Sequence, residues 1–232
     1  MNLRIITLVW VATIGAATAW AQPQPASPRI GDELAAWITQ TFDEAYVKPG
    51  ANLASYRKVM LDQPQVVFER NWLKSINNTR DPSRWLRPAD QQQYADDMSA
   101  GMGQAFADVF KSKGYEVVTT PGPGVLRVSP SVVDLFLNAP DVQSANLTRT
   151  FNRETADATL VVDARDAATG TVLAHFVDRR TVREVVGRRV IYISDVGNLF
   201  WMEAASRTLA TNTIKEFEAT PDRVRTSSAA GH

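Results

Sequence analysis

Ser55 and Lys58 stand three residues apart, the spacing at which one helical turn brings a hydroxyl to an amine that can activate it. The same stretch opens a run from Tyr56 to Phe68 with Val59, Leu61, Val66, Val67 and Phe68, which reads as a strand and separates the two groups. Ser112 and Lys113 are the other near match, and no Gly-x-Ser-x-Gly elbow occurs. His175 and His232 are the two histidines, too few for a histidine-built metal site. His175 falls in a predicted strand, where a hydrogen-bonded core or rim role is expected rather than a general base. Asp96 and Asp97 point to neighbouring sectors of a helix and do not converge as a glycosidase pair would. Pro121-Gly122-Pro123-Gly124 has neither a following helix nor the Gly-Lys-Ser/Thr that cradles phosphates, and reads as a bend between strands. The sequence therefore assigns no catalytic residue, no metal ligands and no cofactor. Trp72 and Trp85, on a polar stretch from Asn71 to Arg87, are the candidate binding residues, because large aromatics on loops are enriched at recognition hot spots. The competing expectation is that they fold back and pack, as tryptophan usually does.

These residues need elements to hold them. Asp32–Tyr46 places Leu34, Trp37, Ile38, Phe42 and Ala45 near helical spacing and predicts an amphipathic helix, ended by Lys48-Pro49-Gly50. In the Tyr56–Phe68 strand, Pro64 predicts a bend or bulge near a sheet edge. Asn71–Arg87 is expected to be an elaborated loop. From Pro88 to Lys113, Tyr94, Met98, Met102, Phe106, Val109 and Phe110 recur at steps of three and four, a helix that Gly114 should stop. Tyr115–Thr120 and Val125–Leu137 predict two strands joined by the Pro-Gly turn, and Asn138–Glu154 a long loop. Ala158–Arg165 and Thr171–Arg183 predict a hairpin around Asp166–Gly170. If Asp166 opposes Thr171, the core face carries Leu160, Val162, Ala164, Leu173, His175 and Val177. Val190–Ile193 adds a short strand, and Val196–Phe217 a closing helix.

The expected fold class is α+β, a largely antiparallel sheet with the two long helices packed on one face. Gly-rich joins between alternating strands and helices, the mark of a doubly wound sheet, do not occur. The expected organisation is residues 1–21 as a signal peptide, 22–31 a flexible spacer, 32–55 an N-terminal helix and linker, 56–218 one α+β domain, and 219–232 a disordered tail. Arg4, the apolar run from Ile5 to Ala17 and the Ala19-Trp20-Ala21 flank have the three parts of an export signal. The apolar run is shorter than the roughly 20 residues of a transmembrane span, so no anchor is expected after cleavage. Cleavage removes Arg4 alone among the charges, leaving 24 basic residues against 25 acidic ones, which is no footprint for nucleic acid. The chain has no cysteine, so disulfides, thiolate chemistry and a lipid-modified cysteine are excluded, and stability must come from a core.

Tyr56-Arg57-Lys58-Val59-Met60-Leu61-Asp62, Pro121–Val128, and Asp166 through Thr169-Gly170 to Leu173 followed by Asp178-Arg179-Arg180 together resemble a bacterial envelope lipoprotein family, domain of unknown function 3313. The resemblance spans Tyr56 to Phe217 and implies an exported protein of a Gram-negative envelope, without supplying an activity. Family members often carry a lipobox cysteine where this chain has Ala21-Gln22, which points to a periplasmic form not lipid-anchored through cysteine. The expected function is a non-enzymatic binding or interaction module for an envelope protein or a cell-wall or lipid component, through a sheet edge or the Trp72/Trp85 stretch. The alternatives are a periplasmic hydrolase with a carboxylate-based site, or a carrier of a small apolar ligand. Oligomeric state is not legible.

Overall fold

The computed structural model describes residues 34–137, 154–183 and 195–229. The predicted signal peptide, the whole spacer, the Asn138–Arg153 part of the predicted long loop and the Val190–Ile193 strand lie outside these residues. Eight strands form one sheet: β1 (Ala35–Ala36), β2 (Glu44–Val47), β3 (Lys58–Leu61), β4 (Gln65–Phe68), β5 (Glu116–Val118), β6 (Val125–Leu137), β7 (Glu154–Asp166) and β8 (Val172–Arg183). The helices are α1 (Trp72–Asn77), α2 (Pro88–Ser112) and α3 (Asp195–Ala229), with 3-10 turns at Leu53–Ser55 and Pro82–Arg84. The strand order is β1-β2-β8-β7-β6-β3-β5, and β4 also pairs with β6.

The sheet is mixed. The long neighbours β6, β7 and β8 and the β1–β2–β8 edge run antiparallel, but β3 and β4 run parallel to β6, and β5 parallel to β3. The two strands flanking the Pro-Gly turn therefore do not pair with each other, because β3 lies between β5 and β6. The bend expected at Pro64 divides the Tyr56–Phe68 run into β3 and β4, both on the same edge of β6. Opposite the break stands Pro130, which has no N–H to offer a neighbour, so two prolines mark one gap in the pairing.

Alternation decides which strand face is buried. Val128, Pro130 and Val132 on β6 align with Ala164, Val162 and Leu160 on β7, and all six are buried. Val162 and Ala164 in turn align with Phe176 and Ala174 on β8. These apolar side chains share one core with Met98, Met102, Phe106 and Phe110 of α2 and Met202, Leu209, Ile214 and Phe217 of α3. The two helices pack on each other, and α2 also touches β3, β4 and β5. α2 ends as expected: Gly114 takes a φ of +84°, and its N–H reaches the Lys111 carbonyl at 3.0 Å.

The hairpin forms where expected and Leu173 joins the core, but beyond Leu173 the second strand faces the other way. Asp166 N–H does meet Thr171 O at 2.9 Å, and Gly170 closes the turn with φ +73°. A bulge then places Ala164 opposite Ala174 and Arg165 opposite Val172, leaving Leu173 without a partner position. One extra residue reverses every side chain beyond it. Phe176 therefore enters the core, fully buried, and His175 joins Asp163 on the opposite face.

The predicted Asp32–Tyr46 helix is replaced by β1 and β2. Glu44, Ala45, Tyr46 and Val47 alternate half-buried and buried against β8, a period of two that a helical reading of Ala45 alone overlooks. The polar Asn71–Arg87 stretch contains α1, since Trp72 and Ile76 give it an apolar anchor on one side. The expected tail is also shorter than composition suggested, because α3 continues past Pro221 to Ala229. Pro221 cannot donate to the Phe217 carbonyl, and Thr220 Oγ1 bonds that oxygen instead at 2.5 Å. Thr220 Oγ1 also accepts the Leu53 N–H at 3.1 Å and ties the first 3-10 turn to the helix.

Candidate functional site

The catalytic near matches resolve into structural contacts. Ser55 Oγ bonds its own turn at Asn52 O, 2.7 Å away, while Lys58 Nζ lies 3.5 Å from Glu116 on the neighbouring strand. His175 Nδ1 meets Asp163 Oδ1 at 2.7 Å across the hairpin, with its side chain 12% exposed. Ser129 is the register partner of Asp163 on the other side, but its hydroxyl donates to Asp62 Oδ2 at 2.5 Å. The order across the sheet is thus serine, aspartate, histidine, with the carboxylate between the two groups that a nucleophilic triad must join. Arg127 forks onto Asp62 and Arg179 pairs with Glu44, so this sheet face is laced by ion pairs. The Arg179 guanidinium and then the Tyr46 hydroxyl hold the Glu44 carboxyl below the usual carboxylate range. Asp96 and Asp97 are exposed. No cluster of three metal-ligating side chains occurs among the described residues.

Glu216 of α3 is buried and accepts from Trp37 Nε1 at 3.0 Å, Thr39 Oγ1 at 2.6 Å and Thr41 Oγ1 at 2.5 Å. This carboxylate fastens the link between β1 and β2 to the closing helix. Beside it lies an open groove of about 540 Å³ lined by Ile38, Gln40, Thr41, Lys215, Glu216 and Ala219. The partners are 175 to 179 residues apart, so local sequence carries no sign of the cluster.

The two candidate tryptophans occupy different environments. Trp72 is 1% exposed, its ring lies 4.2 Å from that of Phe68, and its Nε1 donates to Leu137 O at 2.9 Å. Trp72 is an anchor. Trp85 is 56% exposed and lies on the segment between α1 and α2.

That segment is closed by its own hydrogen bonds. The Asn77 side chain donates to Leu86 O and accepts from Leu86 N, both at 2.9 Å, as a strand partner would. Asp81 accepts from Ser83 N at 2.9 Å and Ser83 Oγ at 2.6 Å, capping the Pro82–Arg84 turn. These bonds and the Ser83 contacts draw the Asp81 carboxyl below its ordinary value. Asp90 accepts from Arg87 N at 2.7 Å and from its guanidinium at 3.2 Å, fixing the start of α2. The Asp-Pro-Ser turn is a legible local signal, since Pro suits the first helical position and Asp caps it. The Asn77–Leu86 closure has no such signature.

Charge sets this segment apart from the neutral chain. From Arg70 to Arg87 stand Arg70, Lys74, Arg80, Arg84 and Arg87 against the single carboxylate of Asp81. Arg70 and Lys74 are exposed and form no ion pair among the described residues. The segment thus combines an exposed indole with an excess of basic residues on a stretch closed by its own hydrogen bonds.

A family model described as "Protein of unknown function (DUF3313)" matches residues 39–205, more than half of the chain. No curated protein sequence matches. Solved structures with distant likeness include a Helicobacter pylori protein named as a neuraminyllactose-binding hemagglutinin homolog, at 13% identity and a TM-score of 0.39, covering 77% of this chain and 92% of that one. A PelC variant dodecamer from Paraburkholderia phytofirmans has 11% identity and a TM-score of 0.36, covering 75% and 97%. A Xanthomonas campestris protein of the family model DUF330 has 10% identity and a TM-score of 0.39, covering 75% and 92%. Likenesses this distant carry no argument about activity or assembly.

Proposed function

Starting from the premise that this chain belongs to the DUF3313 family, we propose that it is an exported, non-enzymatic interaction module of the bacterial envelope that binds through the Trp85 loop. The observation that supports this reading is the loop itself: an exposed indole on a segment already ordered by the Asn77–Leu86 and Asp81–Ser83 bonds. A surface fixed before binding loses little conformational freedom when it binds, so its contacts appear as affinity rather than as ordering cost. In this reading the two long helices cover the sheet face bearing Leu160 and Phe176. Trp72 serves by holding the base of α1, and contact falls to Trp85. Export rests on the N-terminal pattern read from sequence, and the absence of a cysteine leaves the matured chain without a thioether-linked lipid.

Photo-crosslinking in the intact envelope tests this reading, with the probe at Trp85 and a control at Glu116, an exposed residue of β5. A discrete adduct from Trp85 alone is the expected result. Equal yields at both positions, or none at Trp85, would remove the loop as the binding surface.

A further inference from the structure

We propose that the Trp85 loop is built to rest on an anionic phospholipid surface. The inference deepens the reading above by naming the partner, and it rests on that reading. Three observations carry it. The loop is open to solvent: from Asn78 to Ala89 every residue is exposed except the half-buried Arg80 and Leu86. It presents an exposed indole, Trp85, an amphipathic ring that favours the boundary between apolar chains and wet headgroups. Its charge is predominantly positive, with Arg70, Lys74 and Arg84 exposed, against the Asp81 carboxylate bonded to Ser83 and the Asp90 carboxylate paired with Arg87.

A protein partner would favour a different arrangement. Protein hot spots sit in desolvated pockets ringed by neutral contacts, whereas here an exposed indole stands on a segment that also carries exposed cations at Arg70, Lys74 and Arg84. Phosphate headgroups suit such cations, since each lysine or arginine near an anionic leaflet adds about a fivefold gain in partitioning. Peripheral adsorption of this kind is weak for one loop and strengthens when many copies or a second contact share the surface. None of the described helices is long and apolar enough to cross a membrane, so the loop would lie on the surface and not traverse it.

The test uses the chain purified from the envelope, sedimented with mixed phosphatidylethanolamine–phosphatidylglycerol vesicles and with phosphatidylcholine vesicles. Binding to the anionic vesicles alone is expected, weakened about twenty-five-fold by Arg70→Gln with Lys74→Gln and weakened further by added salt. Brominated lipid should quench tryptophan fluorescence in the parent and not in Trp85→Phe. Both sets of substitutions are at exposed positions, and unchanged thermal unfolding confirms that the fold is kept. Equal binding to both vesicle types, or quenching that survives Trp85→Phe, overturns the proposal. If vesicles fail while the Trp85 crosslink yields a protein adduct, the lipid assignment falls and the interaction-module reading stands. If both fail, both readings fall.

Discussion

Replacing Asn77 with alanine should unfasten the Trp85 loop without unfolding the protein. The Asn77 amide supplies two bonds to Leu86, one in each direction and each 2.9 Å long, in a half-buried setting. A typical net contribution is about 1 kcal/mol per bond, so the pair holds the loop closed by about 2 kcal/mol. That difference raises the open population about thirtyfold. Asn77→Asp keeps the acceptor for Leu86 N–H but loses the donor, and should give roughly half the free-energy change. Amide exchange at Leu86 is the assay, read against Val162 and Phe176 in the sheet. The expected pattern is about thirtyfold faster exchange at Leu86 in Asn77→Ala, with sheet amides changed far less. If Leu86 exchange stays within twofold of the parent, the side-chain closure does not hold the loop and the argument for a preordered binding surface fails. A uniform rise at Leu86, Val162 and Phe176 would refute it differently, by showing that Asn77 supports the whole domain.

Thr220→Val should cost about 2 to 3 kcal/mol by urea unfolding, because it leaves the buried Leu53 N–H without a partner at almost unchanged volume. Phe176→Ala should cost about 3 to 5 kcal/mol, while Val172→Ala, half-buried in the same strand, should cost under about 1 kcal/mol; a reversed order would contradict the Leu173 bulge. Asp166 has a carboxyl held below its ordinary value, first by the Thr169 N–H and then by the Tyr56 hydroxyl. A depressed folded-state value stabilises above the unfolded pKa, and this contribution is lost as pH falls through the folded value. The urea midpoint should therefore fall below about pH 4, with a shallower fall in Asp166→Asn. Tyr56, pushed up to about 12 by burial and then by Asp166, shows the opposite sign: its contribution is present below the unfolded tyrosine value and is lost only in strong alkali. Tyr56→Phe should remove that alkaline loss at a neutral-pH cost of about 1 kcal/mol.

What was legible in the sequence follows the range of the interactions involved. α2 was readable because Met98, Met102, Phe106 and Phe110 keep helical spacing over several turns, and Pro88 and Gly114 mark its ends locally. The Asp166–Gly170 turn was readable for the same reason, since Gly170 supplies the positive φ within five residues. β2 was not, because it becomes a strand by pairing with β8 some 130 residues away, and its preceding link is fixed by Glu216 through Trp37, Thr39 and Thr41. The place of β3 between β5 and β6 is likewise a property of the assembled sheet.

The Leu173 bulge shows how a correct local reading can still misplace a candidate site. The sequence predicts the turn and its closing Asp166–Thr171 bond, but a single unpaired residue exchanges the faces of the second strand beyond it. His175 thereby left the core face and met Asp163, while Phe176 took the buried position. Periodicity alone counts two faces and cannot number them once a bulge intervenes, because the bulge is stabilised by packing on both sides of it. The tryptophans divide by the same logic. Trp72 follows Phe68 closely enough to stack on it and has a carbonyl at Leu137 for its N–H, so burial costs it no unsatisfied group. Trp85 sits between Arg84 and Leu86, and the Asn77 closure spends the half-buried position on Leu86. The indole is left outside by the backbone bonds on its neighbour, which is why exposure at this position belongs to the fold and not to chance composition.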